Sequence, residues 1–382
     1  MATIYGTSGN DTITPSYESS GVSGGYPSSN ADTIIGYAGN DSIQGGGGND
    51  YISGDVGNDT VYTGTGNDTV YGGSGNDYIS TSTGADYVNG GDGNDTIYTS
   101  TGFTSVIGGA GNDYVSLSGS TGRSLNLYTA GIETISGGSG NDNFNGASQT
   151  VGLSISGNYG NDTIYGSNYN DTIYGGEGSN YLYGNAGNDY IYGGSGYDYI
   201  LGGTGNDYVS AGNGSNYVNG DVGNDTVYTG TGNDTVYGGS GNDYISTSSG
   251  NDTLYGLTGN DILYGGSGQD RFVFGETGSS NRDYLYDFSH TDDTIVLRDV
   301  LDGVTNSTIK GLEFTGGVLR TGWYFEGAGY TGNGTEYSGI FNDTTTGSIW
   351  YNPTSSISGD SVLICTVSSS SALDNTDFVY SA

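Results

Sequence analysis

Gly238–Ser246 reads GGSGNDYIS, and the chain is built around near-copies of it. The same nine-residue frame stands at Gly72–Ser80, Gly193–Leu201, Gly202–Ser210 and Gly265–Val273. Each copy gives two glycines, a spacer, a third glycine, usually Asn, then Asp, then three residues whose middle member is Ile, Val or Leu. A period of nine is too short for a helical repeat. Three glycines in six residues permit positive φ and close backbone approach, so this half of the repeat is a tight turn. The last three residues make a short strand with its middle side chain inward. One turn and one strand form half a coil, so eighteen residues close a coil of a flattened, right-handed parallel solenoid. Successive coils stack at about 4.8 Å, the strand spacing.

That stacking places each Asp beneath the Asp eighteen residues later. Two carboxylates about 5 Å apart at an effective dielectric near 20 repel by roughly 3 kcal/mol. A row of them needs cations between the coils. Ca²⁺ suits the row, because it takes six to eight oxygens at about 2.3–2.6 Å from carboxylates and from the backbone carbonyls that a glycine turn presents. Mg²⁺ demands a stricter octahedron. Transition metals favour His and Cys, and the chain has one of each.

The candidate ligands follow the period. Asp11 sits in a first repeat, Gly6–Thr14, and a Ser/Gly/Tyr-rich insertion occupies about residues 15–30. Asp32, Asp41, Asp50, Asp59, Asp68, Asp77, Asp86 and Asp95 follow nine apart. Thr104 breaks the row and Asp113 resumes it in phase. Residues 117–161 are degenerate, with Asp142 in one good repeat. The gaps from Asp113 to Asp142 and from Asp142 to Asp162 are 29 and 20 residues, each two more than a multiple of nine. These coils either continue the stack with small insertions or join two stacks. A second block then carries Asp162, Asp171, Asp189, Asp198, Asp207, Asp225, Asp234, Asp243, Asp252, Asp261 and Asp270, with Asn180 and Asn216 standing where Asp is expected. Those two Asn fall on one edge, which is expected to hold calcium less well than the other. Asp pairs eighteen apart point to on the order of 14 strong sites. Residues 54–82 recur identically at 220–248, the mark of an internal duplication.

The expected organisation is an N-terminal roll over 1–116, joining coils over 117–161, a second roll over 162–273, and a β-rich capping segment over 274–382. From Arg271 to Ala382 the chain holds both Trp, His290 and Cys365, and reads as strands at RFVF, DYLYDF, DTIVL, SGIF, GSIWY and DSVLICTV. A solenoid needs a differently composed end to cover its last open coil.

Composition narrows the function. The 382 residues include 77 Gly, 3 Pro and 36 Tyr, and 42 acidic against 6 basic residues give a formal charge of −36. Such a chain repels nucleic acid and anionic membrane surfaces and attracts cations. Its 32% hydrophobic content would ordinarily mean disorder, but the fixed spacing of the apolar residues points to order gained when a cation neutralises the acids. One cysteine allows no intrachain disulfide. No apolar run reaches the length of a membrane helix. The N-terminus has neither a basic nor an apolar leader region, so export is expected to proceed without a cleaved N-terminal signal.

The repeats, G-G-x-G-x-D-x-U-x over about residues 6–14 and 30–273, resemble the RTX calcium-binding proteins. That resemblance implies a parallel β-roll that folds on calcium outside the cell. It also implies export by a type I machine that reads an uncleaved C-terminal signal. Residues 268–297 are similar to the segment that follows the repeats in such proteins, and ALDNTDFVYSA resembles the tails of that secretion class.

Other features have plainer readings. Tyr falls at positions seven and nine, outward of the core residue, in rows that stiffen a sheet face. The rows would also suit a polysaccharide or a neighbouring copy. Asn10, Asn58 and Asn67 sit in NDT sequons that are by-products of the repeat. His290 near Asp292 and Asp293 lacks any partner nucleophile. Cys365 in SVLICTV reads as a core thiol. No catalytic motif is present, so the expectation is a non-enzyme: a secreted structural or cell-surface protein that assembles as a layer, fibre or matrix. The alternatives are a polysaccharide-binding module and an accessory module of a secreted enzyme.

Overall fold

In the computed structural model, the described residues are 2–275, 281–298, 314–315, 318–319, 324–327, 339–352, 362–368 and 373–381. They are almost entirely β, and they fall into two compact units, Met1–Gly178 and Ser179–Ala382.

In the first unit, strands one coil apart pair in parallel on two faces. On one face Tyr51–Val56, Thr69–Ser74, Tyr87–Asp92 and Ser105–Ala110 are neighbours. On the other, Ser42–Gln44, Thr60–Tyr62, Tyr78–Ser80, Thr96–Thr99 and Tyr114–Leu117 are neighbours. The register is eighteen residues, Val61 opposite Ile79 and Val70 opposite Val88. The insertion lengthens the first step, so that Ile4 lies opposite Ile34. The degenerate coils keep the parallel pairing with longer steps. Val115 lies opposite Ile135 and Ile135 opposite Ile155, while Leu125 lies opposite Phe144 and Phe144 opposite Ile164. A single helical turn, Leu127–Ala130, is accommodated there.

The second unit repeats the plan, with Tyr199–Thr204, Tyr217–Val222, Thr235–Ser240 and Thr253–Thr258 on one face and Tyr208–Asn213, Thr226–Tyr228, Tyr244–Ser246 and Ile262–Tyr264 on the other. The coil continues past the last repeat, since Phe272 lies opposite Ile295 and Leu263 opposite Leu285. Val362–Val367 and Phe378–Ser381 then extend the two faces in parallel. Antiparallel pairing of Val362–Val367 with Ser348–Asn352, and of the latter with Gly339–Asp343, ends the stack. These strands make up the described C-terminal part of the second unit. Cys365 is buried within it, and burial pushes its thiol up.

The core is a column of single side chains. Ile52, Val61, Val70, Ile79, Val88 and Ile97 in one unit, and Ile200, Val209, Val218, Val227, Val236 and Ile245 in the other, are fully buried. One aliphatic residue per half-coil is a thin core, so the rest of the coil must be held by something else. Part is backbone pairing and part is tyrosine. Outside the core, ring pairs climb the faces from coil to coil, for example Tyr199 on Tyr217 at 4.7 Å and Tyr237 on Tyr255 at 4.3 Å. Among the described residues no helix is long and apolar enough to cross a membrane.

Candidate metal centres along the coil edges

The turns carry the chemistry. Two glycines of the opening repeat show why side chains are excluded there. Gly241 has φ of +134°, and a Cβ there would lie 1.8 Å from the carbonyl oxygen of Gly223 one coil below. Gly238 has an ordinary φ, but its Cβ would lie 2.4 Å from Asp243 Oδ2 and 2.8 Å from the carbonyl oxygen of Gly256. That space, bounded by a carboxylate oxygen and the carbonyl of the next coil, recurs along the edges.

All 22 Asp picked out by the period are buried. Along the edges, ladder residues donate their backbone N–H to the Oδ1 of the Asp or Asn one coil later. On the first edge of the first unit the bonds run from Asp11 to Asp41, then Asp59, Asp77, Asp95 and Asp113, at 2.7–2.8 Å. On the second edge they run from Asp32 to Asp50, Asp68 and Asp86 at 2.8–2.9 Å, and later from Asp142 to Asp162 at 2.7 Å. In the second unit Asp189, Asp207, Asp225, Asp243 and Asp261 form one edge. Asn180, Asp198, Asn216, Asp234, Asp252 and Asp270 form the other.

Oδ1 is thus committed to the fold. The second oxygen differs from place to place. Oδ2 of Asp41, Asp50, Asp59, Asp77, Asp95 and Asp113 in the first unit, and of Asp207, Asp225, Asp243 and Asp270 in the second, is buried without a hydrogen-bond partner. Leaving one such oxygen orphaned costs on the order of 1–3 kcal/mol, more if charged. Burial accordingly drives these carboxyls upward, to about 6 at Asp41 and about 7 at Asp77 and Asp243. Asp225 reaches about 8, from burial first and then from Asp243, Asp207 and Asp221 nearby. The row is unfavourable as anions and equally unsuited to hydrogen bonding. A hard cation in the space beside each Oδ2 would resolve both problems, and the donors present there, carboxylate and carbonyl oxygen, are those calcium takes. The residues therefore fit calcium.

Four other ladder Asp close their own turns. Oδ2 of Asp11 accepts from the Thr7 N–H (2.6 Å), that of Asp32 from Ser28 (2.7 Å), that of Asp171 from Ser167 (2.6 Å) and that of Asp142 from Gly138 (3.0 Å). The second edge is also altered by threonine. Thr63, Thr81, Thr229 and Thr247 hold the position of the first glycine and are buried. Thr247 Oγ1 donates to the carbonyl of Gly265 at 2.6 Å. Asn216 behaves alike, its Nδ2 donating to the carbonyls of Gly212 (3.2 Å) and Gly214 (3.1 Å). Thr104 carries no carboxylate and bonds back to the carbonyl of Asp86.

Three ladder members have no counterpart in the nine-residue frame. Glu133 accepts from Asp113 at 2.9 Å, Asp283 from Asp261 at 3.1 Å and Asp293 from Asp270 at 3.0 Å. Their steps of 20, 22 and 23 residues hide them from a nine-residue count. The acid at the head of a strand-like run, in ETIS, DYLYDF and DTIVL, was the available signal. Elsewhere, His290 Nδ1 lies 3.0 Å from both oxygens of Asp377, which raises the imidazole and ties the cap to the last coil.

Fold and edges together define a parallel β-roll whose coils are bridged through rows of carboxylates. A family model, the RTX calcium-binding nonapeptide repeat, matches residues 3–14, 26–119, 128–149 and 156–276. The chain belongs to this family of calcium-binding repeat proteins, and it takes up multiple calcium ions. Repeats of this kind are typical of secreted proteins. No curated protein matches the chain.

Proposed function

We propose that this is a secreted, non-enzymatic structural or cell-surface protein whose roll folds when it meets extracellular calcium and then assembles into a layer, fibre or matrix. The buried, unpartnered Oδ2 of residues such as Asp207, Asp225 and Asp243 carries this reading. Calcium supplies there the positive charge that makes an ionised, desolvated row stable. The chain's own groups do the rest. Backbone N–H groups hold each Oδ1 in place, glycines keep the cradle open, and the aliphatic column aligns the coils. Where calcium is scarce the acids repel and the chain stays open for export. Where calcium is plentiful it binds the folded state alone, and each site adds to stability. The C-terminal segment serves as export signal and cap, and it folds first as a template for the coils.

Electron microscopy and light scattering with and without millimolar calcium test the assembly. Ordered sheets or fibres that dissolve in chelator are expected, and a protein that remains monomeric in calcium at high concentration contradicts it. A second reading, polysaccharide binding, is favoured by the tyrosine rows. Tyr181 and Tyr190 remain about half exposed, at 48% and 53%. Calcium-dependent retention on a cell-wall polysaccharide by the monomeric protein would select that reading.

A further inference from the structure

The carboxylate ladder of the first unit is interrupted at Thr104 and Arg123 on the second edge and at Leu153 on the first, and side-chain N–H groups take up neighbouring turns. On the second edge the ladder passes from Thr104 to Arg123, which donates its backbone N–H to Asp142 Oδ1 at 2.7 Å as a ladder Asp does. Its guanidinium turns back onto the preceding coil. Nη2 donates to the carbonyl of Thr101 at 2.6 Å and Nη1 to that of Phe103 at 3.4 Å, with the guanidinium carbon 4.4 Å from the centre of the Phe103 ring. Arg123 is the one basic residue in the first 270. On the first edge Leu153 holds the ladder position, donating to Asp171 Oδ1. Between it and Asp113, the buried Gln149 donates through Nε2 to the carbonyls of Leu127 (3.2 Å) and Ile132 (3.1 Å) and approaches Glu133 Oε1 at 3.4 Å. Asn158 Nδ2 donates a hydrogen bond to the carbonyl of Gly137 at 2.6 Å.

We propose that the turns from Thr104 to Arg123 on the second edge and from Gln149 to Leu153 on the first form a calcium-free seam, in which Arg123 and Gln149 provide from the chain itself the positive hydrogens that the flanking coils obtain from a cation. A guanidinium is permanently charged and planar with several donors, so it can satisfy turn carbonyls that would otherwise face a metal. The seam divides the calcium row of this unit into stretches that load separately. It rests on the reading that the flanking coils fold on calcium.

The test compares the full chain with Arg123→Gln, and separately with Gln149→Leu, in excess calcium. Bound calcium is counted by native mass spectrometry, and hydrogen exchange is read at Ser105–Ala110 and Ser124–Asn126 for the first variant and at Leu127–Ala130 for the second. Exchange in those segments should rise about tenfold or more while flanking coils stay protected, with no calcium ion lost. A variant that loses a calcium ion, or exchange unchanged in both variants, overturns the seam. A wild-type chain that binds no calcium would instead sink the calcium-folding reading itself.

Discussion

At the residue scale the decisive atoms are one carboxylate oxygen and one missing Cβ. Replacing Gly238 with Ala puts a methyl group 2.4 Å from Asp243 Oδ2 without any penalty in φ. The expected outcome is loss of about one calcium ion from the loaded protein by mass spectrometry, whereas an unchanged count would show that the cradle is not the site. The same carboxylates set the response to pH. Asp41, Asp77 and Asp225 are raised to about 6, 7 and 8, chiefly by burial. For a group raised on folding, the stabilisation is complete below its unfolded value near 3.8 and is lost as pH climbs through the folded one. The calcium-free chain should therefore gain β-structure on acidification from pH 8 towards pH 4, seen by circular dichroism. At pH 6.5, calcium addition should release protons, measurable in weakly buffered solution. An apo chain equally unordered at both pH values would contradict this. The buried Asp rows were legible because their spacing is periodic. Glu133, Asp283 and Asp293 were not, because insertions of two to five residues shift them out of phase. Nor did spacing show that Thr7, Ser28 and Ser167 would close the turns of Asp11, Asp32 and Asp171, since that depends on which way each carboxylate rotates.

At the element scale, a half-coil is a strand of three to six residues that buries one aliphatic side chain, and it cannot stand alone. Ile245 is fully buried between Val227 and Leu263 in the parallel ladder. Truncation to Ala should cost about 2–4 kcal/mol in the calcium-loaded protein, read as a lower guanidinium midpoint. A loss below about 0.5 kcal/mol would show that the column is not what aligns the coils. The tyrosines contribute on the outside. Tyr208 packs against Tyr190, Tyr192 and Tyr228 at 5.8–6.0 Å, so Tyr208→Ser should cost about 1–2 kcal/mol. The strand Tyr244–Ser246 and its inward Ile245 were legible from GGSGNDYIS, whereas Gly238–Ser240, expected as turn, continues the strand Thr235–Ser240 in the structure, because glycine without a side chain also pairs in parallel with the coil below. The degenerate coils were legible only as alternatives. Their parallel register, with steps of 19 and 20, depends on a helical turn and on Arg123 and Gln149, none of which has a repeating signature.

At the scale of the molecule, the formal charge of −36 and the thin core make a single demand: folding needs neutralisation. Each bound ion stabilises the native state by its own mass-action term, so many weak sites add to a steep dependence on concentration. Under the proposed function such a chain is a switch set by the calcium level, open where calcium is scarce and folded where it is plentiful. The most direct test is a calcium titration of the chelator-treated full chain at pH 7.5, followed by far-ultraviolet circular dichroism. The account predicts an unordered spectrum without calcium that converts cooperatively to a β spectrum as calcium approaches millimolar levels, and that magnesium does not reproduce. A β spectrum that persists unchanged in excess chelator would contradict it.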